Sequence, residues 1–89
     1  MKVTEGLLLE VDGTSRKVKF KDSYYPTCKK LIGGWLELVR TIDNRTLVVD
    51  EEGLIKNLPI NNQASLLYRG GRIVGRAILL QVSKEELRD

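Results

Sequence analysis

Residues 47–68 read LVVDEEGLIKNLPINNQASLLY, and the fold class turns on how this stretch divides. Leu47-Val48-Val49 is apolar at consecutive positions, as in a strand covered on both faces. Asp50-Glu51-Glu52-Gly53 is an acidic turn in which Gly53 can take positive φ. Leu54 to Leu58 connects this turn to Pro59, which introduces a helix. Asn61 or Asn62 supplies the N-cap, and Ala64, Leu67 and Tyr68 share one face at helical spacing. Gly70-Gly71 stops that helix.

Upstream, Trp35 to Ile42 alternates as a strand, placing Trp35, Glu37 and Val39 on one side. Asp43-Asn44-Arg45 returns it into the strand at 46–49. Before this hairpin, Asp22-Ser23 offers an N-cap and Pro26 fits a first helical turn. Cys28, Leu31 and Ile32 form an apolar stripe, Lys29 and Lys30 point outward, and Gly33-Gly34 ends a helix over 24–32. The N-terminal part holds a strand over 2–11 with Leu7-Leu8-Leu9 at its centre. An Asp12-Gly13 turn follows, then a second strand alternating Lys17, Lys19 and Lys21 with Val18 and Phe20. That lysine row suits an outer strand that resists edge-to-edge aggregation. Downstream, Arg72 to Val82 forms the last strand, and Ser83 with Glu86 fits a capping box for a short C-terminal helix.

The order β-β-α-β-β-α-β over residues 1–89 predicts one α+β domain. It has about five mostly antiparallel strands, with two short helices covering one sheet face. Three runs are apolar on both faces: 7–9, 47–49 and 78–80. They predict that the second face meets another subunit, hence a homo-oligomer.

Composition narrows the chemistry. The chain has 42% apolar and 30% charged residues, a net charge of +3, one cysteine and no histidine. An intrachain disulfide, a Cys/His zinc site and His-dependent nucleophilic catalysis therefore have no residues to use. Residues 1–45 carry nine Lys or Arg against six Asp or Glu, and 46–89 carry six of each, a mild excess that argues against a dedicated nucleic-acid binder. The beginning MKVTEGLLLEVDG has no apolar run of signal-peptide or membrane length, so a cytoplasmic protein without membrane attachment is expected.

Four elements occur in order: Ile32-Gly33-Gly34 with Glu37; Asp50 to Gly53; Pro59, Asn61 and Ala64; and Ile73-Val74-Gly75. Over residues 20–82 this pattern resembles the family of small proteins catalogued as domain of unknown function 3846, found mostly in phages, plasmids and related bacterial islands. The family often has an acidic residue after its IVG element, where this chain has Arg76. The resemblance implies an accessory protein acting against the host, in counter-defence, and supplies no activity.

No catalytic or metal-binding constellation is assembled, and no cofactor is called for. The three consecutive acids at 50–52 lack the spacing of a calcium loop and read as a solvated turn. Glu37, set between Trp35 and Val39, can read a base edge or have its pKa raised by an apolar surround. Asn61, Asn62 and Gln63 at the start of the second helix offer amides beside free N–H groups. Tyr25, Tyr68, Arg69, Arg72 and Lys29 supply stacking surfaces and cations for phosphate. These residues predict a non-enzymatic protein that sequesters a small nucleotide signal at a subunit interface. The alternatives are an inhibitor that binds a host protein, or a weak nucleic-acid-binding module.

Overall fold

The computed structural model describes residues 3–87; Lys2, assigned above to the first strand, lies outside them. Five strands form one fully antiparallel sheet: β1 (Glu5–Leu9), β2 (Ser15–Lys19), β3 (Leu36–Arg40), β4 (Thr46–Asp50) and β5 (Ala77–Leu80). Their spatial order is β2-β1-β5-β4-β3, so two hairpins flank the last strand. Leu7 to Leu9 face Leu79 to Ala77 on one side of β5, and Thr46 to Val48 face Leu80 to Ile78 on the other. The five-stranded α+β architecture is the predicted one.

Helix α1 (Tyr24–Ile32) keeps the predicted bounds. Ser23 caps it by accepting from the Tyr25 amide at 3.2 Å, and Gly33 closes it in the left-handed region at φ 82°. It connects β2 at one edge of the sheet to β3 at the other. Beneath it lie Leu8, Val18, Phe20, Val48, Ile78 and Leu80, with Cys28 fully buried among them.

The second helix departs from the expected layering. Helix α2 (Asn62–Leu67) sits on the opposite face, where Ala64, Leu67 and Tyr68 pack with Leu9, Leu47, Val49, Ala77 and Leu79. The doubly apolar runs are thus satisfied within one chain, by one helix per face. An uncovered sheet face therefore gives no basis here for an oligomer.

Three local expectations also change. Helix α2 ends at Tyr68, in extended conformation, before Gly70-Gly71 is reached. Tyr68 leaves the helix because it bridges to Thr41, while the Ile42 amide donates to Leu67 O at 2.8 Å. The last strand is shorter than expected, since Ile73 to Arg76 run irregularly into it and Val74 bridges back to Ile60. Gly53 is not among the positive-φ residues; Asn57 and Gly75 are, at φ 59° and 76°. At Gly53 compactness is what the fold needs, since a Cβ there would come within 2.8 Å of Val74 Cγ2. The capping box forms as expected: Ser83 and Glu86 bond to each other around a 3-10 turn, Lys84–Glu86. Among the described residues no helix is long and apolar enough to cross a membrane.

Candidate binding cleft

Asn61 fixes where α2 lies. Its side chain is fully buried, and Nδ2 donates to both Leu9 O and Gly75 O at 2.9 Å while Oδ1 accepts from the Ala64 amide at 3.1 Å. One side chain thus caps the helix and ties it to β1 and to the segment entering β5. Gln63 adds a second tie, donating to Glu10 O at 3.1 Å and Thr14 O at 2.8 Å. Two of the three amides expected at a ligand site therefore hold the fold together, and Asn62 is exposed. With six residues, α2 is also too short to present a helix-terminus anion site.

Held at Leu9 by one end and at Thr41–Ile42 by the other, α2 crosses its face of the sheet diagonally. It leaves uncovered the corner made by the start of β3 and the end of β4. There a cleft of about 310 Å3 opens. Its floor is Glu37, Val39 and Val49; one wall is the turn from Asp50 to Leu54, and the other is Tyr68, Gly70, Arg72, Ile73 and Val74. A second hollow of about 300 Å3 adjoins it across Leu54, Arg72 and Val74, and continues over Asn57 to Ile60.

The acidic turn is rigidly built. Asp50 is buried; it accepts from the Glu52 amide and from Lys56 Nζ, both at 2.8 Å. Burial pushes its pKa up, but Lys56, the Glu52 amide and nearby Lys29 outweigh that and hold the carboxyl below its usual range. The Lys56–Asp50 pair lies against Gly34, where a Cβ would sit 2.5 Å from Lys56 Nζ and about 3 Å from both carboxylate oxygens. Among the described residues no group of three His, Cys, Asp or Glu side chains could hold a metal ion.

Of the nine candidate residues, Glu37, Tyr68 and Arg72 come together in the cleft. Neither the Glu37 carboxylate nor the Arg72 guanidinium has a hydrogen-bond or ion-pair partner among the described residues. Tyr68 folds its ring across Gly70, leaving no room for a side chain there. Arg69 is exposed outside the lining. Tyr25 and Lys29 belong to α1, on the far face; Lys29 stacks 4.0 Å from the Trp35 ring centroid and donates to Gly34 O at 3.3 Å. Trp35 precedes β3 and is exposed, so it does not give Glu37 the apolar surround expected from strand alternation.

The sequence reading missed the aliphatic part of the cleft. Leu54 at its rim is 70% exposed and the adjacent Ile55 83%. Their signal was legible: two large aliphatics directly after an acidic turn, on no helical or strand period. The arrangement offers a carboxylate, a phenol and a guanidinium above an aliphatic floor.

The family described as Domain of unknown function (DUF3846) matches this chain over residues 1–89. No curated protein and no solved structure matches it.

Proposed function

From a chain that belongs to the DUF3846 family over its whole length, we propose a non-enzymatic binding protein that holds a partner polypeptide at the open corner of its sheet. The exposed Leu54-Ile55 pair carries this proposal. Large aliphatics are exposed singly on most surfaces, but here two stand together on a turn pinned by the Asp50–Lys56 pair. Ile60, also exposed, lies beyond them along the adjoining hollow. Fully burying one such side chain contributes about 2 kcal/mol, enough for two or three to anchor an interface. The phage and plasmid setting implied by the resemblance fits an inhibitor of a host factor acting in counter-defence. Capture from a lysate of cells that carry the gene tests it: the wild type retains one stoichiometric protein and Ile55→Asp loses it. Equal retention by the variant, or no retained protein, contradicts the proposal.

A small nucleotide is the second candidate ligand, because residues suited to stacking (Tyr68), phosphate (Arg72) and a base edge (Glu37) share the cleft. Against it stand two acids without a side-chain partner among the described residues, Glu37 and Glu51, beside one cation. Mass spectrometry of the denatured purified protein, with calorimetry against a panel of cyclic and linear nucleotides, decides: micromolar binding lost in Arg72→Ala supports this ligand, and no binding removes it.

A further inference from the structure

The cleft opens beside an unfinished sheet edge. In the β3–β4 ladder the Glu51 amide donates to Trp35 O and the Thr41 amide donates to Arg45 O, both at 2.9 Å. Bonding pairs recur at every second residue of an antiparallel ladder. With Glu37 opposite Val49 and Val39 opposite Leu47, these two residues turn their backbone groups toward β4. Leu36 and Leu38 therefore turn theirs outward, away from the sheet. Beyond Arg40 the outer edge is taken by the end of α2, through the Tyr68–Thr41 bridge and the Ile42 to Leu67 bond. That segment makes no backbone bond to Leu36 or Leu38, nor does the 3-10 turn near β3.

The two sheet edges are built differently. Strand β2 carries Arg16, Lys17 and Lys19 in five residues, the charged pattern that discourages strand addition. Strand β3 reads Leu-Glu-Leu-Val-Arg, with Arg40 paired to Glu85, and has no lysine. Its Glu37 and Val39 side chains form the cleft floor. A strand added here would hydrogen-bond to Leu36 and Leu38 and place the side chain opposite Glu37 in the cleft.

We propose that the outer edge of β3 accepts an extended segment of a partner polypeptide as a sixth strand, with a basic side chain of that segment entering the cleft beside Glu37. This rests on the partner-binding proposal and specifies its mode. Charge selects the side chain: Asp50 is neutralised by Lys56, which leaves Glu37 and Glu51 against Arg72. A cation directly across from Glu37 forms the favourable cross-strand pair. A second copy of this chain fits poorly. Two-fold pairing centred on Leu38 would bring the second copy's Leu36 opposite Arg40, next to the Leu67–Tyr68 segment already on that edge. Pairing centred on Glu37 would oppose two like charges.

A random dodecapeptide library selected on the full chain, followed by affinity measurement with recovered peptides, tests the mode. Recovered peptides should share a Lys or Arg flanked by β-branched or aromatic residues. Leu38→Pro removes the outward N–H at a position where an edge strand tolerates proline, and should weaken binding about tenfold or more. Leu38→Ala should stay within about threefold, since the backbone donor is kept. Glu37→Gln should cost about fivefold with the basic peptides. Hydrogen exchange of the wild-type Leu36 and Leu38 amides should slow on peptide addition, a readout independent of whether the proline variant folds. Unchanged exchange of both amides, or equal affinity of a folded Leu38→Pro, overturns strand addition while leaving partner binding intact. Recovery of no peptide also overturns it, and the Ile55→Asp capture experiment then decides separately whether a folded partner binds.

Discussion

Lys56 Nζ meets Asp50 Oδ2 at 2.8 Å directly over the backbone of Gly34, so that two distant chain segments close on a position without a side chain. The Asp50 side chain is 3% exposed and that of Lys56 is 37% exposed, which places the pair between a surface bridge and a buried one. It closes the turn that carries Leu54 and Ile55 and lies against Gly34, just beyond the end of α1. Asp50→Asn should lower unfolding free energy by about 2 kcal/mol in denaturant titration, the scale of a hydrogen bond to a charged group.

The pH dependence follows from the same carboxyl. Its folded-state pKa is depressed, so its stabilisation is fully present above the unfolded value, about 3.9, and is lost as pH falls through the folded one. Stability of the wild type should decline below about pH 4, and Asp50→Asn should flatten part of that decline. Asp12, Asp43 and Glu86 are depressed in the same direction, chiefly by bonds to Thr14, Arg45 and Ser83, but at exposed turns where solvent screens them. A wild-type acid limb unchanged in Asp50→Asn would contradict this assignment.

Gly34→Ala should displace the Lys56 ammonium, because the added methyl lands on it. A loss of about 1–2 kcal/mol is expected in the wild-type background. In Lys56→Met the same substitution should cost measurably less, since the flexible end it strikes has gone. A double-mutant cycle reads the coupling, and strictly additive effects would show that Gly34 is required for another reason.

Asn61→Ala should be the more severe change. It removes the cap of α2 and leaves two buried carbonyls, Leu9 O and Gly75 O, without their shared donor. About 3 kcal/mol is expected from the cap and the unsatisfied acceptors together, seen as a lowered denaturation midpoint. By contrast Ile55→Asp, at an exposed position, should change stability by less than about 0.5 kcal/mol, so its loss of partner is interpretable.

Much of this fold was readable from local chemistry. Ser23 and Gly33 bracket α1, the Asn44 turn takes φ 66°, and an alternating strand beside a continuously apolar one identified each hairpin. Which face each helix covers was not readable. Leu7-Leu8-Leu9 and its counterparts show that both faces are buried without showing by what, and only tertiary ties such as Asn61 to Leu9 send α2 to the face opposite α1. The resemblance motifs look different once folded. Gly34 accommodates the Asp50–Lys56 pair, Asn61 caps α2, and Gly75 takes φ 76° with its carbonyl bonded to Asn61. These are framework contacts. Glu37 and Glu51 are motif residues whose side chains have no such contact among the described residues, and both line the cleft, Glu37 at its floor. Asn61 and Gln63 were singled out as amides near a helix start, and sequence alone does not distinguish a buried tie from a ligand contact.

The unfinished edge of β3 is the feature on which the binding account depends, and amide hydrogen exchange of the free protein examines it without any ligand. Exchange should alternate along the strand: slow at Glu37 and Val39, whose amides are bonded to β4, and fast at Leu36 and Leu38. Protection of all four amides in the isolated protein would contradict it, because the edge would then already be covered.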